Sequence, residues 1–263
     1  MRKIEDIQEL RQIQIGILDD VHRFCEEHGL RYFLSSGTLI GAVRHKGYIP
    51  WDDDIDIHMP RKDYERFLQT YNDERGIYRV LNPNTEPHYY YTFAKVIDSR
   101  TRMVEDENVG YEIGVYIDIF PEDYVTDNLL KRKLIFQLKH LLYKIRRCKI
   151  SHSNPLYSKW AYLCYRNLPL SVGMVNSIIK LIIMRNKPSG FVSNMTESGA
   201  TNVDDCIPVE DVESAIDIEF EGKMYKTMIG YHDYLTRVYG DYMQLPPEDQ
   251  RVTHKFEAWW RNQ

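Results

Sequence analysis

Four aspartates crowd into residues 52–56, and they are the side chains of this chain best suited to chemistry. After Asp53 the order becomes Asp-Ile-Asp-Ile, an alternation with a period of two. Since a β-strand places residues i and i+2 on one face, Asp54 and Asp56 would project together while the isoleucines enter the core. Asp52 would share the face of the pair, and Asp53 would point away.

Carboxylates held side by side repel one another, and a hard divalent cation relieves that repulsion. Magnesium suits such oxygen ligands, because it commonly takes one or two carboxylates, several waters and substrate phosphates. The acidic segment therefore predicts a magnesium site, with manganese as a substitute. A solvated acidic turn and a glycosyltransferase-type Asp-x-Asp site are the alternatives. An EF-hand calcium loop is excluded, because Ile57 stands where that loop needs glycine.

Two further features would complete a site that moves a phosphorus-containing group. Ser36 and Gly37 form a turn that opens a helix, and its backbone N–H groups would face an anion. Asp118 lies in a later strand between apolar neighbours, where it would add a third carboxylate; a structural aspartate is the alternative. Metal ions would neutralise the phosphates, and a carboxylate or metal-bound oxygen would activate the attacking hydroxyl.

Periodic patterns indicate the elements that must position these residues. The predicted helices cover residues 7–24, 38–45, 61–71 and 231–239. The predicted strands cover residues 31–35, 54–57, 78–81, 89–97, 102–105, 114–120 and a hairpin at 216–226. This order of elements predicts an α/β (α+β) protein with a mixed sheet and flanking helices.

The runs 37–45 and 47–57 resemble the LicD family of phosphocholine transferases, and Ser36-Gly37 with Asp54-Ile55-Asp56 is similar to the nucleotidyltransferase-fold signature. Spaced aspartates of this kind also resemble the fukutin-related ribitol-phosphate transferases. Further matches are Arg61, Asp63-Tyr64, Lys95, Asp98, residues 118–121, residues 239–243, Pro246-Pro247, Arg251 and His254. The resemblance covers nearly the whole chain and is weakest from residue 128 to residue 188.

The resemblance implies that a CDP-alcohol, typically CDP-choline, gives its phospho-alcohol to a sugar hydroxyl and releases CMP. It makes Asp54 and Asp56 magnesium ligands, Asp52 an additional ligand, and Asp118 a further ligand or the base. The expected substrate-binding residues are Ser36 and Gly37 at the turn, together with Arg44, His45 and Lys95 at the diphosphate. As alternatives, Arg44 and His45 would cap a helix end, and Lys95 would be an ion-pair partner.

The expected acceptor is a cell-surface glycan, such as a teichoic acid, a lipopolysaccharide or a capsule precursor. The same chemistry with ribitol or glycerol phosphate remains open, as do a nucleotidyltransferase that uses a nucleoside triphosphate and a non-catalytic nucleotide- or glycan-binding module. Residues 89–91, three consecutive tyrosines, would either pack in a strand or form an aromatic cage for choline. His58, Arg251 and His254 are expected to support the fold or lie near the site.

Basic charge is concentrated in one segment. From Asn128 to Thr196 there are thirteen Lys or Arg residues and no acid, which leaves 21 basic against 39 acidic residues elsewhere. We therefore divide the chain into a catalytic core (1–127), a basic helical insertion (128–190) and a part that completes the core (191–263). Basic and apolar residues interleave between residues 131 and 149, which favours peripheral contact with an anionic membrane over a merely solvated subdomain.

Nothing else in the sequence supports a nucleic-acid partner for this basic segment. Four scattered cysteines show neither zinc-ligand nor disulfide spacing and suit a reducing compartment. The charged N-terminus has no apolar signal core, and no apolar run reaches the length of a membrane span. The expected location is the cytoplasm, peripheral on the inner face of the plasma membrane.

Overall fold

The computed structural model describes residues 1–71, 73, 75–86, 89–104, 111–150, 158–196, 203–251 and 257–261. The helices in these ranges are α1 (Ile7–His28), α2 (Ser36–His45), α3 (Arg61–Thr70), α4 (Leu129–Ile150), α5 (Lys159–Asn167), α6 (Val172–Met184), α7 (Val209–Val212) and α8 (Tyr231–Tyr239). The strands are β1 (Arg2–Ile4), β2 (Phe33–Leu34), β3 (Asp56–Pro60), β4 (Tyr78–Leu81), β5 (Ala94–Asp98), β6 (Thr101–Val104), β7 (Tyr116–Val125), β8 (Phe191–Ser193), β9 (Ile207–Pro208), β10 (Ala215–Phe220), β11 (Lys223–Met228) and β12 (Glu257–Trp260).

A mixed sheet with the strand order β2-β3-β7-β5-β4 forms the centre of the molecule. Strands β3 and β7 run parallel, and the other neighbours in this order are antiparallel. The C-terminal half of β7 pairs with β8, and β8 pairs with β9. The remaining strands form the β10–β11 hairpin and a small sheet with the order β1-β12-β6. The predicted α+β fold with a mixed sheet and flanking helices is confirmed.

Helix α1 covers the apolar face of this sheet. Asp6 caps its start by accepting a hydrogen bond from the backbone N–H of Gln8, and Gly29 ends it with φ 59°. Its residues Leu10, Ile17 and Leu18 are fully buried in one cluster with Ile57, Ile117 and Ile119 of the sheet. Because strand side chains alternate, residues next to these isoleucines face the other side of the sheet, where the polar residues collect.

Several predicted strand limits were wrong. Strand β3 begins only at Asp56, so Asp54 lies in the irregular segment before it. Tyr89–Tyr91 precede β5 rather than form part of it, because that strand starts at Ala94. Strand β7 runs through Pro121 to Val125, well beyond the predicted end at residue 120. The third sheet, which joins β1 to β12, was not predicted, and residue 105 lies outside the described residues.

The basic segment is helical as predicted, but the bases that both interpretations of it placed at the surface are exposed only in part. Helix α4 buries Arg132, Lys139 and Arg146, each less than a tenth exposed, and it exposes a row of leucines instead. Long stems and oriented acceptors make this burial tolerable: Arg146 donates to the backbone oxygen of Tyr90 and lies over the ring of Tyr143.

Within the described ranges, no single helix has the length and apolar composition to cross a membrane. Helices α5 and α6 reach that composition only as a pair, bent by 87° at the break between them. The two helices pack with α4 around a second hydrophobic cluster that includes Val175, Ile179 and Phe136. The boundaries of the insertion at residues 128 and 190 remain a prediction.

Candidate active site

The polar face of the central sheet brings two of the predicted aspartates together. Asp56 on β3 and Asp118 on β7 are direct partners in the parallel register, and the backbone N–H of Asp118 donates to the oxygen of Ile55 at 2.9 Å. Both side chains are partly exposed, whereas their strand neighbours Ile57 and Ile119 are fully buried. The register therefore sets two carboxylates side by side at an accessible edge of the core.

Lys95 joins this pair from the next strand. It is the partner of Asp118 in the antiparallel β5–β7 register, and its Nζ lies 2.8 Å from Asp118 Oδ1. Its side chain is only 2% exposed, and the ammonium lies 3.4 Å from the ring centre of Tyr116 and 4.6 Å from that of Tyr91. The cation that Tyr91 contacts in this structure is thus Lys95 itself, which brings positive charge to the carboxylates.

The start of α2 is fixed to the start of β3. The backbone N–H of Ser35 donates to the oxygen of Asp56 at 3.1 Å, and the N–H of Asp56 donates to Thr38 Oγ1 at 2.9 Å. Ser36 has φ 51°, an uncommon value for a residue with a side chain. A Cβ atom on Gly37 would lie 2.7 Å from Asp52 Oδ2, so glycine lets this carboxylate approach the helix N-terminus.

Helix α1 holds the acidic segment by its main chain. The Arg11 guanidinium donates to the oxygens of Asp52, at 2.6 Å, and of Ile49, at 3.1 Å. Gln14 Nε2 donates to the oxygen of Asp53 at 2.8 Å. Sequence reasoning missed both residues, although a glutamine that interrupts the apolar face of a helix was a signal of such a buried contact.

Arg44 and His45 lie at the other end of α2, about 13 Å from Ser36 at 1.5 Å per residue. Arg44 donates to the backbone oxygen of Tyr242 at 2.8 Å and to His45 Nε2 at 2.9 Å. Burial lowers the pKa of both side chains, and the charge of Arg44 lowers the pKa of His45 further. These two residues are therefore not gathered around the helix N-terminus, and their contact with a diphosphate remains a prediction.

The other sequence candidates occupy the surroundings of the site. Asp53 is buried, and its direction away from the pair remains a prediction. The guanidinium of Arg251 lies 4.8 Å from the ring centre of Trp51, where it supports the acidic segment. His58 is buried against Glu122, and His254 lies outside the described residues.

Among the described residues, no three His, Cys, Asp or Glu side chains form a ready-made metal site. Two neighbouring carboxylates, Asp56 and Asp118, nevertheless fit the donor set of magnesium, which completes its shell with water and phosphate oxygens. Asp52 and Asp54 come from the adjoining segment. The residues present therefore fit a metal that binds together with a phosphorylated substrate rather than in a protein cage.

Comparisons with known proteins show which proteins this chain resembles. A family model described as "LicD/FKTN/FKRP, nucleotidyltransferase domain" matches residues 29–156. The lipopolysaccharide cholinephosphotransferase LicD of Haemophilus influenzae is 33% identical over 274 aligned residues, which cover 98% of this chain and 99% of that protein. The ribitol 5-phosphate transferase FKRP of Homo sapiens is 34% identical over 70 residues, 27% of this chain and 13% of that protein.

A more distant relative is the mannosyltransferase regulator 4 of Saccharomyces cerevisiae, 27% identical over 124 residues, which cover 44% of this chain and 10% of that protein. The Haemophilus protein differs from these partial matches because its similarity extends over almost all of both chains. The matched residues 29–156 also include the turn at Ser36, both paired aspartates and Lys95. The chain therefore belongs to the LicD family.

Proposed function

We propose that this protein is a magnesium-dependent phosphotransferase that moves phosphocholine from CDP-choline to a hydroxyl of a cell-surface glycan and releases CMP. The observation that carries the proposal is the direct pairing of Asp56 with Asp118 beside the N-terminus of α2. Its support is the near full-length similarity to a protein named as a lipopolysaccharide cholinephosphotransferase.

In the reaction, the acceptor oxygen attacks the phosphorus that carries choline, and the bond from that phosphorus to the bridging oxygen breaks. The bridging oxygen leaves with CMP, and the hydroxyl proton passes to a carboxylate or to water. Asp54, Asp56 and Asp118, with Asp52 as an addition, would hold magnesium, which neutralises charge on the diphosphate when bound.

The protein's own groups would prepare this transfer. The N–H groups at the start of α2 would donate hydrogen bonds to phosphate oxygens, because a helix N-terminus carries partial positive charge. Lys95 orients Asp118 through their 2.8 Å contact and keeps a positive charge beside the pair. The hydrogen bonds between β3 and α2 keep the anion-binding turn next to the carboxylates, so that the groups need little reorganisation.

The test is to incubate the protein with magnesium, a short glycan acceptor and one donor at a time, and to measure CMP. CDP-choline should give CMP and a phosphocholine-bearing product, whereas CDP-ribitol and CDP-glycerol should react more slowly. Faster CMP release from CDP-ribitol would assign the ribitol cargo instead. Pyrophosphate release from a nucleoside triphosphate, or no turnover with any donor, would contradict the proposal.

A matched pair of variants would locate the chemistry. Asp56→Asn should lower CMP release at least about a thousandfold, because the amide keeps the shape but removes a charged ligand from a metal that contributes several kcal/mol. Glu219→Gln changes an exposed acid on β10 in the same way and should have no effect. Equal activity of the two variants would show that the metal site lies elsewhere.

We further propose that the insertion docks on an anionic membrane, where a lipid-linked acceptor would be found. Of the nineteen large apolar side chains exposed in the described part of the chain, eleven lie within residues 128–190. Such concentrations of exposed apolar surface in a folded protein usually mark an interaction site. Leu130, Leu134, Leu138 and Leu141 form one row on α4, and Trp160 of α5 is 80% exposed.

Exposed bases accompany this apolar row: Lys131 and Lys133 lie beside Leu130 and Leu134 on the first turns of α4. This arrangement suits a surface helix with leucines in the acyl boundary and ammonium groups at lipid phosphates. The predicted membrane contact of residues 131–149 is therefore limited to their exposed bases, since Lys139 and Arg146 are buried. The leucine row would carry the apolar part of binding, and the exposed lysines would carry its salt dependence.

Co-sedimentation with phosphatidylglycerol vesicles tests this contact, with phosphatidylcholine vesicles as the neutral comparison. The double variant Leu134→Glu/Leu138→Glu should lose at least about tenfold in binding, because it places charge at the acyl boundary. Leu245→Glu alters an exposed leucine outside the insertion and should bind as the unaltered protein does. No binding at low salt, or equal binding of the two variants, would contradict the docking.

A further inference from the structure

A second polar cavity lies on the same face of the sheet, next to the aspartate pair. Its centre is His58, two residues beyond Asp56 on β3, whose Nδ1 contacts Glu122 Oε1. Both residues are only 2% exposed. His58 Nε2 and Glu122 Oε2, the remaining polar side-chain atoms of the pair, are buried and have no hydrogen-bond partner among the described residues. Such orphan atoms are rare in native proteins, because an unpaired buried polar group is unfavourable.

Both orphan atoms belong to residues that line a cavity of about 220 Å³. The described residues that line it with them are Ser36, Ser193, Asn194, Asp205, Ile207, Tyr234, Val238 and Tyr239. This lining is rich in hydroxyl, amide and carboxylate groups, and none of these described residues is Lys or Arg. Two carboxylates without a lysine or arginine among the described lining residues would repel a phosphate, so we expect the phosphorylated part of a substrate to lie outside this cavity.

The hydrogen-bonding needs of the cavity point to hydroxyl groups. A carboxylate oxygen such as Glu122 Oε2 needs a donor, and His58 Nε2 accepts or donates according to the proton on its ring. A hydroxyl can donate and accept, so it satisfies either state of the histidine. Tyr234, whose ring lies edge-on to His58, adds an aromatic surface for the carbon side of a sugar.

The cavity is also in the right position for a reacting substrate. On one strand, His58 follows Asp56 at about 7 Å, the distance of two residues. Ser36 both lines the cavity and precedes Gly37 at the start of α2, and its backbone N–H lies 3.4 Å from the hydroxyl of Tyr234. A ligand in the cavity would therefore reach the same helix terminus that is proposed to hold phosphate.

We propose that this cavity binds the hydroxyl-rich part of a substrate, through hydrogen bonds to His58 Nε2 and Glu122 Oε2. The hydroxyls would come from the acceptor sugar or from a polyol carried by the donor. This choice of two sources rests on the proposed function. His58 and Glu122 act here by hydrogen bonding, as substrate-positioning groups beside the aspartate pair.

Ligand-observed saturation-transfer NMR with the full chain, without nucleotide, tests this binding directly. The probes are methyl β-galactopyranoside, methyl α-glucopyranoside and ribitol, with choline as the probe that lacks neighbouring hydroxyls. The unaltered protein should give a saturable signal with a glycoside or with ribitol. His58→Phe, which keeps a ring between its neighbours but removes both nitrogens, should weaken that signal about tenfold.

Two more variants keep the result interpretable. Glu122→Gln can still accept from His58 Nδ1 and replaces the unpartnered oxygen Oε2 by an amide nitrogen, so a smaller loss of about threefold is expected. Asn84→Ala alters an exposed residue that lines a different pocket and should bind the probes normally. Thermal unfolding of each variant separates lost binding from lost structure.

The outcomes distinguish the sources from each other and from the proposed function. The cavity is assigned to the acceptor sugar if the unaltered protein binds a glycoside and the His58→Phe variant has a raised KM for acceptor but hydrolyses CDP-choline at an unchanged rate. The cavity is assigned to the donor if the unaltered protein binds ribitol and the His58→Phe variant has a raised KM for CDP-ribitol alone. Binding that depends on His58 without turnover of any donor supports the cavity and rejects the proposed function. No saturable signal, or an equal signal from a folded His58→Phe variant, overturns this inference.

Discussion

The central sheet and helix α4 both bury basic side chains, but they stabilise them with different partners. On the sheet, Lys95 contacts the partly exposed carboxylate of Asp118, which also faces the open side of the site. In α4, Arg146 donates to the backbone oxygen of Tyr90 and the amide oxygen of Asn176, both inside the protein.

This difference indicates that the buried base of the sheet serves the site, whereas the buried base of α4 serves the fold. On the proposed function, the carboxylate beside Lys95 would exchange partners when a metal or phosphate binds, because another charge changes its electrostatic balance. The acceptors around Arg146 are neutral groups within the fold, and no substrate is expected to displace them. Substitutions on the sheet should therefore change activity more than stability, whereas substitutions of buried bases in α4 should do the opposite.

The largest effect is expected on the sheet. Asp118→Asn keeps an oxygen acceptor for Lys95 but removes the negative charge, so CMP release should fall at least about a thousandfold. Because Asp118 and Asp56 would act as one unit, the double variant with Asp56→Asn should be little worse than either single variant. Steady-state kinetics with CDP-choline measures this. Multiplied effects in the double variant would mean that the two carboxylates act independently.

A smaller loss, this time of stability, is expected in the insertion. Arg146→Met keeps much of the stem but removes the donors to Tyr90 and Asn176, which should lower the free energy of unfolding by about 2–3 kcal/mol. Arg147→Met alters the exposed neighbour and should change it by less than about 0.5 kcal/mol. Urea unfolding compares the two. If the rate of CMP release per folded molecule fell tenfold in Arg146→Met, the buried bases of α4 would affect activity as well as stability, against this prediction.

Two glycines give the next comparison. Gly37→Ala would force Asp52 away from the start of α2, because the new Cβ would lie 2.7 Å from its Oδ2. We expect activity to fall about tenfold, equivalent to about 1.4 kcal/mol. Gly173→Ala in α6 meets only Ser171 Oγ at 3.9 Å and should stabilise the protein by up to about 1 kcal/mol without changing activity. Equal activity of both variants would remove the argument for a close approach at Gly37.

The smallest effect concerns pH. Burial lowers the pKa of His45 in α2 and of His140 in α4, and nearby bases lower both further. Since the unfolded chain binds these protons more readily, the free energy of unfolding should fall as pH drops from 6.5 through the lower folded-state pKa values. The variants His45→Asn and His140→Asn should each flatten this decline. Urea unfolding at pH 7.5, 6.5 and 5.5 measures it, and an unchanged slope in the double variant would contradict the assignment.

The sequence predicted much of the sheet side of the site. Alternation around Asp56 and around Asp118 correctly indicated which residues face away from the core, because that alternation depends only on strand geometry. It did not indicate that the two strands are neighbours in this register, since strand order depends on the whole fold. The His58–Glu122 contact was not predicted either, because it joins residues 64 positions apart.

The insertion was harder to predict because its pattern has two solutions. Leucines and bases alternate around α4, and burial of either set can be stable if the buried set finds partners. Arg132 lies over the ring of Phe191 and donates to the backbone oxygen of Thr126, contacts that depend on tertiary packing. The sequence pattern therefore predicted the helices correctly but placed Arg132, Lys139 and Arg146 at the surface, where the structure buries them.

Helix α1 ends before residue 29, where the match to the family model begins. Yet its Arg11 and Gln14 clamp the main-chain oxygens of Asp52 and Asp53. Helix α1 thus fixes the main chain of the acidic segment, so the acidic side chains are not needed to hold it. We therefore expect the smallest catalytic unit to be larger than the matched domain. A fragment that began at residue 29 would keep every acid of the motif but lose the α1 contacts that hold the main chain of Asp52 and Asp53.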